Sequence, residues 1–299
     1  MVFLALAVAC SLTIAVLFNV AERRNLDRTA LLTVNYAAAA LLAARLQGVA
    51  PADGITAGLV GLGVAQGVLF IAGFWLFSLA IRTAGMGLAA GVMRLSVVVP
   101  FLASWLIWGD PTPSGLQFLG LACAGVAFFL VARPAAEPPG KLGPPEPAVA
   151  PAEPSGGARA AVLLGLLFLS GGLVDVNMKV FREAFSGAVP ISTFLLFVFG
   201  VAFLSGLAAV VWRGVRTGAW PRGEVVAWGI VLGLVNYGSA EFLLRALETL
   251  DGTVAFPANS VSIVFGAAVI GWLVWRERLS RANLAGLGMA GLALVLLAR

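Results

Sequence analysis

Long apolar runs, cut at intervals by charges and by glycine or proline clusters, dominate this chain. Ten of them approach the ~20 residues that a bilayer-crossing helix needs: 2–20, 29–46, 56–80, 86–108, 115–132, 160–178, 190–212, 225–246, 253–275 and 282–298. Within each run the apolar character is continuous. Barrel strands would instead be about ten residues long with alternating polarity, so the pattern predicts helices, which satisfy their own backbone groups in lipid. The first run lacks a basic leader and a small-residue cleavage site, and reads as a retained span.

Between the fifth and sixth runs the pattern collapses. Eight of the 25 residues from 134 to 158 are proline, a composition that makes an extended linker and no packed core. The chain therefore divides into a first five-helix repeat over 1–133, a Pro-rich linker over 134–159 and a second five-helix repeat over 160–299. A gapless shift of 166 residues pairs 61–133 with 227–299 and makes 16 of 73 positions identical, about twice what composition alone gives. Gly63/Gly229, Gly67/Gly233, Ser96/Ser262 and Gly120/Gly286 are among the matches. Because five is odd, the second copy of such a unit enters the membrane upside down. The expected fold is an all-α membrane protein with ten transmembrane helices arranged as two inverted five-helix repeats.

Composition agrees. Of 299 residues, 61% are hydrophobic and 11% charged, against about a quarter charged in soluble domains. The net charge of +5 is read as loop charge that sets orientation, not as nucleic-acid affinity. With the N-terminus outside, cytoplasmic loops would carry 13 basic residues and the opposite side 5, which favours external termini. Trp105, Trp108, Trp212, Trp220, Trp272 and Trp275 fall near span ends, as interfacial anchors do. Histidine is absent, and the two cysteines, Cys10 and Cys123, sit inside apolar runs. No metal or cofactor motif, phosphate loop or nucleophile elbow is present, so no cofactor and no enzyme activity are expected.

The ninth run, the turn Trp275-Arg276-Glu277-Arg278-Leu279-Ser280 and the glycine-spaced tenth run (Gly286, Gly288, Gly291) carry a resemblance, as does Val34-Asn35-Tyr36 in the second run. They resemble the drug/metabolite transporter superfamily in its ten-helix EamA-type branch. The first half departs from this pattern, with Asp110-Pro111 where the Glu-Arg-Leu element would stand. The resemblance implies a central cavity lined mainly by spans 3, 4, 8 and 9, with spans 5 and 10 packed outside. It also implies termini in the cytosol, opposite to the charge count.

Ionisable groups inside spans are costly and mark function by default. Arg94 lies in the fourth run among Met93, Leu95 and Val97, and its permanently charged fork suits a carboxylate or phosphate. The bland alternative is a structural pair. Glu241, a candidate for proton coupling, has Arg245 one turn on, and Asp175 has Lys179 one turn on; both can be local ion pairs. Asn35, Tyr36, Gln66, Asn236, Tyr237, Asn259 and Ser260 fall nearer mid-span than the ends. Singly each reads as an interhelical hydrogen bond; as a set they read as a substrate-binding lining. Tyr36, Trp75 and Tyr237 are the candidate aromatics of the cavity, and Pro100 and Pro257 are candidate kinks.

The expected function is a secondary transporter in the cell (inner) membrane, moving a small organic metabolite such as an amino acid outward in the family pattern, with protons as a candidate coupling ion. A multidrug or amine exporter is the first alternative, relying on Glu241. A lipid-linked-sugar flippase accessory or non-transporting membrane partner is the second.

Overall fold

The computed structural model describes residues 1–47, 54–132, 157–218, 220–221, 223–276 and 280–299. Most of the Pro-rich linker and the Glu277-Arg278-Leu279 element lie outside the described residues. The described chain is helical without strands. Its elements are α1 (Val2–Arg23), α2 (Arg28–Leu46), α3 (Ala57–Ala84), α4 (Met86–Leu95), α5 (Val98–Leu106), α6 (Gly115–Val131), α7 (Gly157–Ala184), α8 (Ile191–Thr217), α9 (Glu224–Ala246), α10 (Gly252–Val274) and α11 (Arg281–Leu297).

Among the described residues, eight helical segments are long and apolar enough to cross a bilayer, α4 and α5 together supplying one of them. The apolar helices α6 and α11 have 17 residues each, about 26 Å at 1.5 Å per residue. The chain is thus a multi-pass membrane protein.

The fourth run, expected as one helix over 86–108, is broken. Pro100 has no N–H for the carbonyl of Ser96, four residues back. That carbonyl instead takes the N–H of Val99 at 2.9 Å, and Val97 N–H bonds Arg94 O at 3.3 Å, also three residues back. The Ser96 hydroxyl donates to Met93 O at 2.5 Å and closes the end of α4. Pro257 has no such effect, since α10 runs unbroken through it.

Two compact units make up the chain, and each draws on both sequence halves: Met1–Ile71 with Asn177–Leu250, and Ala72–Val176 with Asp251–Arg299. We call them unit 1 and unit 2. In unit 1 the core gathers Ala21, Ala30, Leu31, Val210, Val225 and Leu232. Lipid supplies no hydrophobic drive between helices, so close backbone approach must hold them, and glycines permit it. A Cβ on Gly233 of α9 would stand 2.3 Å from Asn35 O and 2.7 Å from Ala38 Cβ of α2, and one on Gly229 would stand 2.6 Å from Val34 Cβ. On α3, a Cβ on Gly67 would stand 2.7 Å from Val198 O and 2.8 Å from Val201 Cβ of α8, and one on Gly63 would stand 2.5 Å from Phe197 Cβ. These are matching contacts. Gly63 and Gly67 correspond to Gly229 and Gly233 at a shift of 166, and Val34, Asn35 and Ala38 correspond to Phe197, Val198 and Val201 at a shift of 163.

At one end of unit 1, Asn25 (φ 52°) turns the chain between α1 and α2. Asp27 caps α2, accepting from Ala30 N–H at 3.1 Å. Its carboxylate also accepts from Arg213 of α8, through Nη1 at 3.2 Å and through Nη2. Burial of Asp27 pushes its pKa up, but the Arg213 and backbone hydrogen bonds outweigh this and hold it below the usual carboxylate value.

In unit 2, α6 and α11 begin alike. Ser114 with Gln117, and Ser280 with Asn283, form reciprocal caps that satisfy orphan N–H groups. The two pairs correspond at a shift of 166. The helices then pack reciprocally: a Cβ on Gly120 would meet Leu296 Cβ at 3.1 Å, and one on Gly286 would meet Leu130 Cβ at 2.9 Å. The same shift exchanges the two contacts. Asp110, the residue that departs from the repeat pattern, accepts from Gly252 N–H at 2.7 Å and so caps α10.

Candidate functional site

In unit 1 the close approach at Gly233 places the next turn of α9 against α2. Asn236 Nδ2 donates to Asn35 Oδ1 at 3.3 Å. Asn35 is buried, and Asn236 and Tyr36 are half-buried. These three residues, with Ile14, Phe18, Leu32, Phe70 and Leu232, line a cavity of about 210 Å³. An aromatic chain runs beside it. Tyr36 stacks on Phe70 and on Phe199 at centroid distances of 6.5 and 6.3 Å, and Phe199 meets Tyr237 at 6.4 Å. Its lining is mostly apolar, with two amides and a phenol among it, as small-molecule sites commonly are.

One turn further along α9, Glu241 receives two hydrogen bonds on one oxygen, from Arg245 Nη2 at 2.6 Å and Nε at 2.9 Å. The Glu241 side chain is 16% exposed. The local pair expected from the spacing is therefore formed. Together with Tyr237, Ser186, Ser192 and Glu248, the pair borders a second cavity of about 340 Å³. The Arg245 guanidinium also lies over the Phe3 ring at 5.8 Å. Gln66 is fully buried on α3 and lines neither cavity.

Unit 2 holds Arg94, Asn259 and Ser260. Arg94 ends α4 beside the break that Pro100 imposes. Opposite, Gly171 and Gly172 bring α7 close: Cβ atoms there would stand 2.6 Å from Ser96 Oγ and 2.5 Å from Val99 Cβ. Asp175 follows Gly171 by one turn on the same face. Arg94 and Asp175 are each half-buried and electrostatically coupled. Among the described residues neither makes a hydrogen bond or an ion pair within 4.0 Å. The spacing had set Asp175 against Lys179; instead buried Lys179 bonds Glu183 at 2.9 Å, and the group coupled to Asp175 is Arg94. On α10, Ser260 is buried, and among the described residues the buried Oδ1 of Asn259 has no hydrogen-bond partner.

The structure thus brings Asn35, Tyr36 and Asn236 to one cavity of unit 1 and Tyr237 and Glu241 to another. Arg94, Asn259 and Ser260 lie in unit 2. Phe70 and Phe199 were missed, because nothing in the pattern separates them from packing phenylalanines. Trp75, weighed as a cavity aromatic, is 74% exposed and lines neither cavity. No group of three or more metal-ligating side chains occurs among the described residues.

Comparison with known proteins gives the fold and little more. No family model matches the chain. An uncharacterized protein of Haemophilus influenzae (strain ATCC 51907 / DSM 11121 / KW20 / Rd) is 25% identical over 294 residues, covering 94% of this chain and 92% of that one. A crystal structure superposes with a TM-score of 0.73 at 12% identity, covering 99% of this chain and 94% of the other. At that identity the likeness is one of fold alone.

Proposed function

We propose that this protein is a secondary carrier that moves a small organic metabolite, such as an amino acid, across a cell membrane by alternating access. The observation that carries the reading is Arg94. A permanent cation in a bilayer-crossing segment costs at least ~2.5 kcal/mol on insertion scales, yet Arg94 forms no protein hydrogen bond among the described residues. Its planar set of five donors is therefore available to an anionic group of the solute. The cavities of unit 1 support the same reading, since amide, phenol and carboxylate groups are gathered there in otherwise apolar helices.

Two five-helix repeats of opposite orientation are the proposed architecture, interleaved so that each compact unit draws on both. The matched glycine contacts of unit 1, the exchanged Gly120 and Gly286 contacts and the paired Ser114 and Ser280 caps support the repeat. In such carriers one bundle rocks or gates against another around a fixed site. The test is a ligand-stability screen of purified protein across metabolite classes, followed by flux of each hit in proteoliposomes. At least one hit is expected to be carried, with Arg94→Ala lowering the flux at least tenfold while folding is retained. Undiminished flux in that variant would remove Arg94 from the site.

The aromatic chain Tyr36–Phe70–Phe199–Tyr237 favours a second reading as an amine or multidrug exporter, because aromatic faces hold cations. In that case Glu241→Gln lowers flux more than Arg94→Ala does. The pairing of Glu241 with Arg245 weighs against it, since its charge is already compensated.

A further inference from the structure

Two carboxylates inside the spans could carry a proton, and the structure treats them differently. Glu241 is held by two hydrogen bonds from Arg245. Protonating it would break a charge-assisted pair. Asp175 has no hydrogen bond among the described residues, is half-buried in a helix rich in glycine and leucine, and faces one cation that it does not touch. A proton can join its carboxylate without breaking a bond.

The surroundings of Asp175 are sparse in charge. From α4 the facing group is Arg94. The α5 helix brings Val99 against Gly172 and contains no titratable residue. The unit 2 part of α3 brings Gly73 against Ser170, and its one charge, Arg82, is exposed. On α7 itself, Lys179 follows one turn later and is paired with Glu183.

We propose that Asp175 is the proton-binding carboxylate of the carrier and that its protonation state sets how strongly Arg94 attracts an anionic group of the solute. The proposal rests on the carrier reading. With Asp175 ionised, the Arg94 charge is already balanced from across the gap, and an incoming anion meets a nearby carboxylate. A proton from water converts that carboxylate to a neutral acid and leaves Arg94 uncompensated. Proton and anion therefore bind cooperatively, each raising the affinity of the other by the same factor. They cross together as an electroneutral pair. Asp175 holds the proton itself and acts on the anion through Arg94.

The experiment titrates the full-length protein in proteoliposomes by infrared difference spectroscopy of the carboxylic acid C=O band. It is run on wild type, Asp175→Asn, Asp175→Glu, Arg94→Gln and Glu241→Gln. The expected result is a band that titrates in wild type, is lost in Asp175→Asn, and survives in Asp175→Glu and in Glu241→Gln. Removing the Arg94 charge should raise the proton affinity behind that band about tenfold or more. In a second arm, acetate, lactate and succinate are the probes. One or more should raise thermal stability more at low than at high pH in wild type, with the pH dependence lost in Asp175→Asn. A titrating band unaffected by Asp175→Asn, or lost in Glu241→Gln, would overturn the proposal, as would an affinity unmoved by Arg94→Gln. If Asp175→Asn does not fold, the Asp175→Glu and Arg94→Gln titrations decide the matter. Flux whose pH dependence is unchanged in Asp175→Asn sinks the role of Asp175 and leaves the carrier intact. A titrating Asp175 without flux of any solute sinks the carrier and leaves the proton site.

Discussion

Unit 1 and unit 2 treat the charges on their helices differently. In unit 1 acids and bases touch one another: Glu241 with Arg245, Lys179 with Glu183, Asp27 with Arg213. In unit 2, Arg94 and Asp175 sense each other but do not touch. Charges paired within the protein have their desolvation cost at least partly offset. Those left unpaired inside a membrane have a cost that packing does not explain, and function is the natural reason to retain them. The comparison separates structural polarity from candidate chemistry without reference to substrate.

Four predictions test that separation, from the largest effect to the smallest. Arg94→Ala should lower solute flux by tenfold to more than a hundredfold, from losing charge-assisted hydrogen bonds worth about 1.5–3 kcal/mol, while its melting temperature stays near wild type; paired flux and melting measurements check this. A methyl group at Gly233 would meet a backbone carbonyl of α2, which cannot turn aside. Gly233→Ala should therefore destabilise unit 1 by about 1–3 kcal/mol, read from thermal unfolding in detergent. The Asn35–Asn236 pair should show a coupling energy near 0.6 kcal/mol in a double-mutant cycle; a value near zero would mean the amides face the cavity independently.

The smallest effect is at Asp27. Because its pKa is lowered in the folded protein, the pair with Arg213 contributes above the ordinary carboxylate pKa of about 3.9 and is lost as pH falls through the lower folded value. The pair is partly exposed, so the change is about 0.5 kcal/mol or less. Asp27→Asn should flatten the acid limb of the stability profile by that amount.

Much of the fold was legible because span length and apolar continuity are properties of single segments. The starts of α6 and α11 at Ser114 and Ser280 could be read to within a residue, since turn residues precede each apolar run. Pro100 was visible, but not that it would split the run while Pro257 left its helix whole. That depends on what the freed carbonyl finds nearby. Partners were the weaker part of the reading. The i, i+4 rule found Glu241–Arg245 but set Asp175 against Lys179, because it compares residues within one helix and the group coupled to Asp175 is on another. The Asn35–Asn236 contact spans 201 residues and follows from the approach at Gly233, which sequence spacing does not display.

The carrier reading itself is tested most directly by counterflow. Proteoliposomes loaded with an excess of an unlabelled hit from the stability screen are diluted into trace labelled solute. The account predicts transient accumulation of label above equilibrium, saturable and slowed at least tenfold in Arg94→Ala. Uptake that only approaches equilibrium, or accumulation equal in wild type and Arg94→Ala, would contradict it.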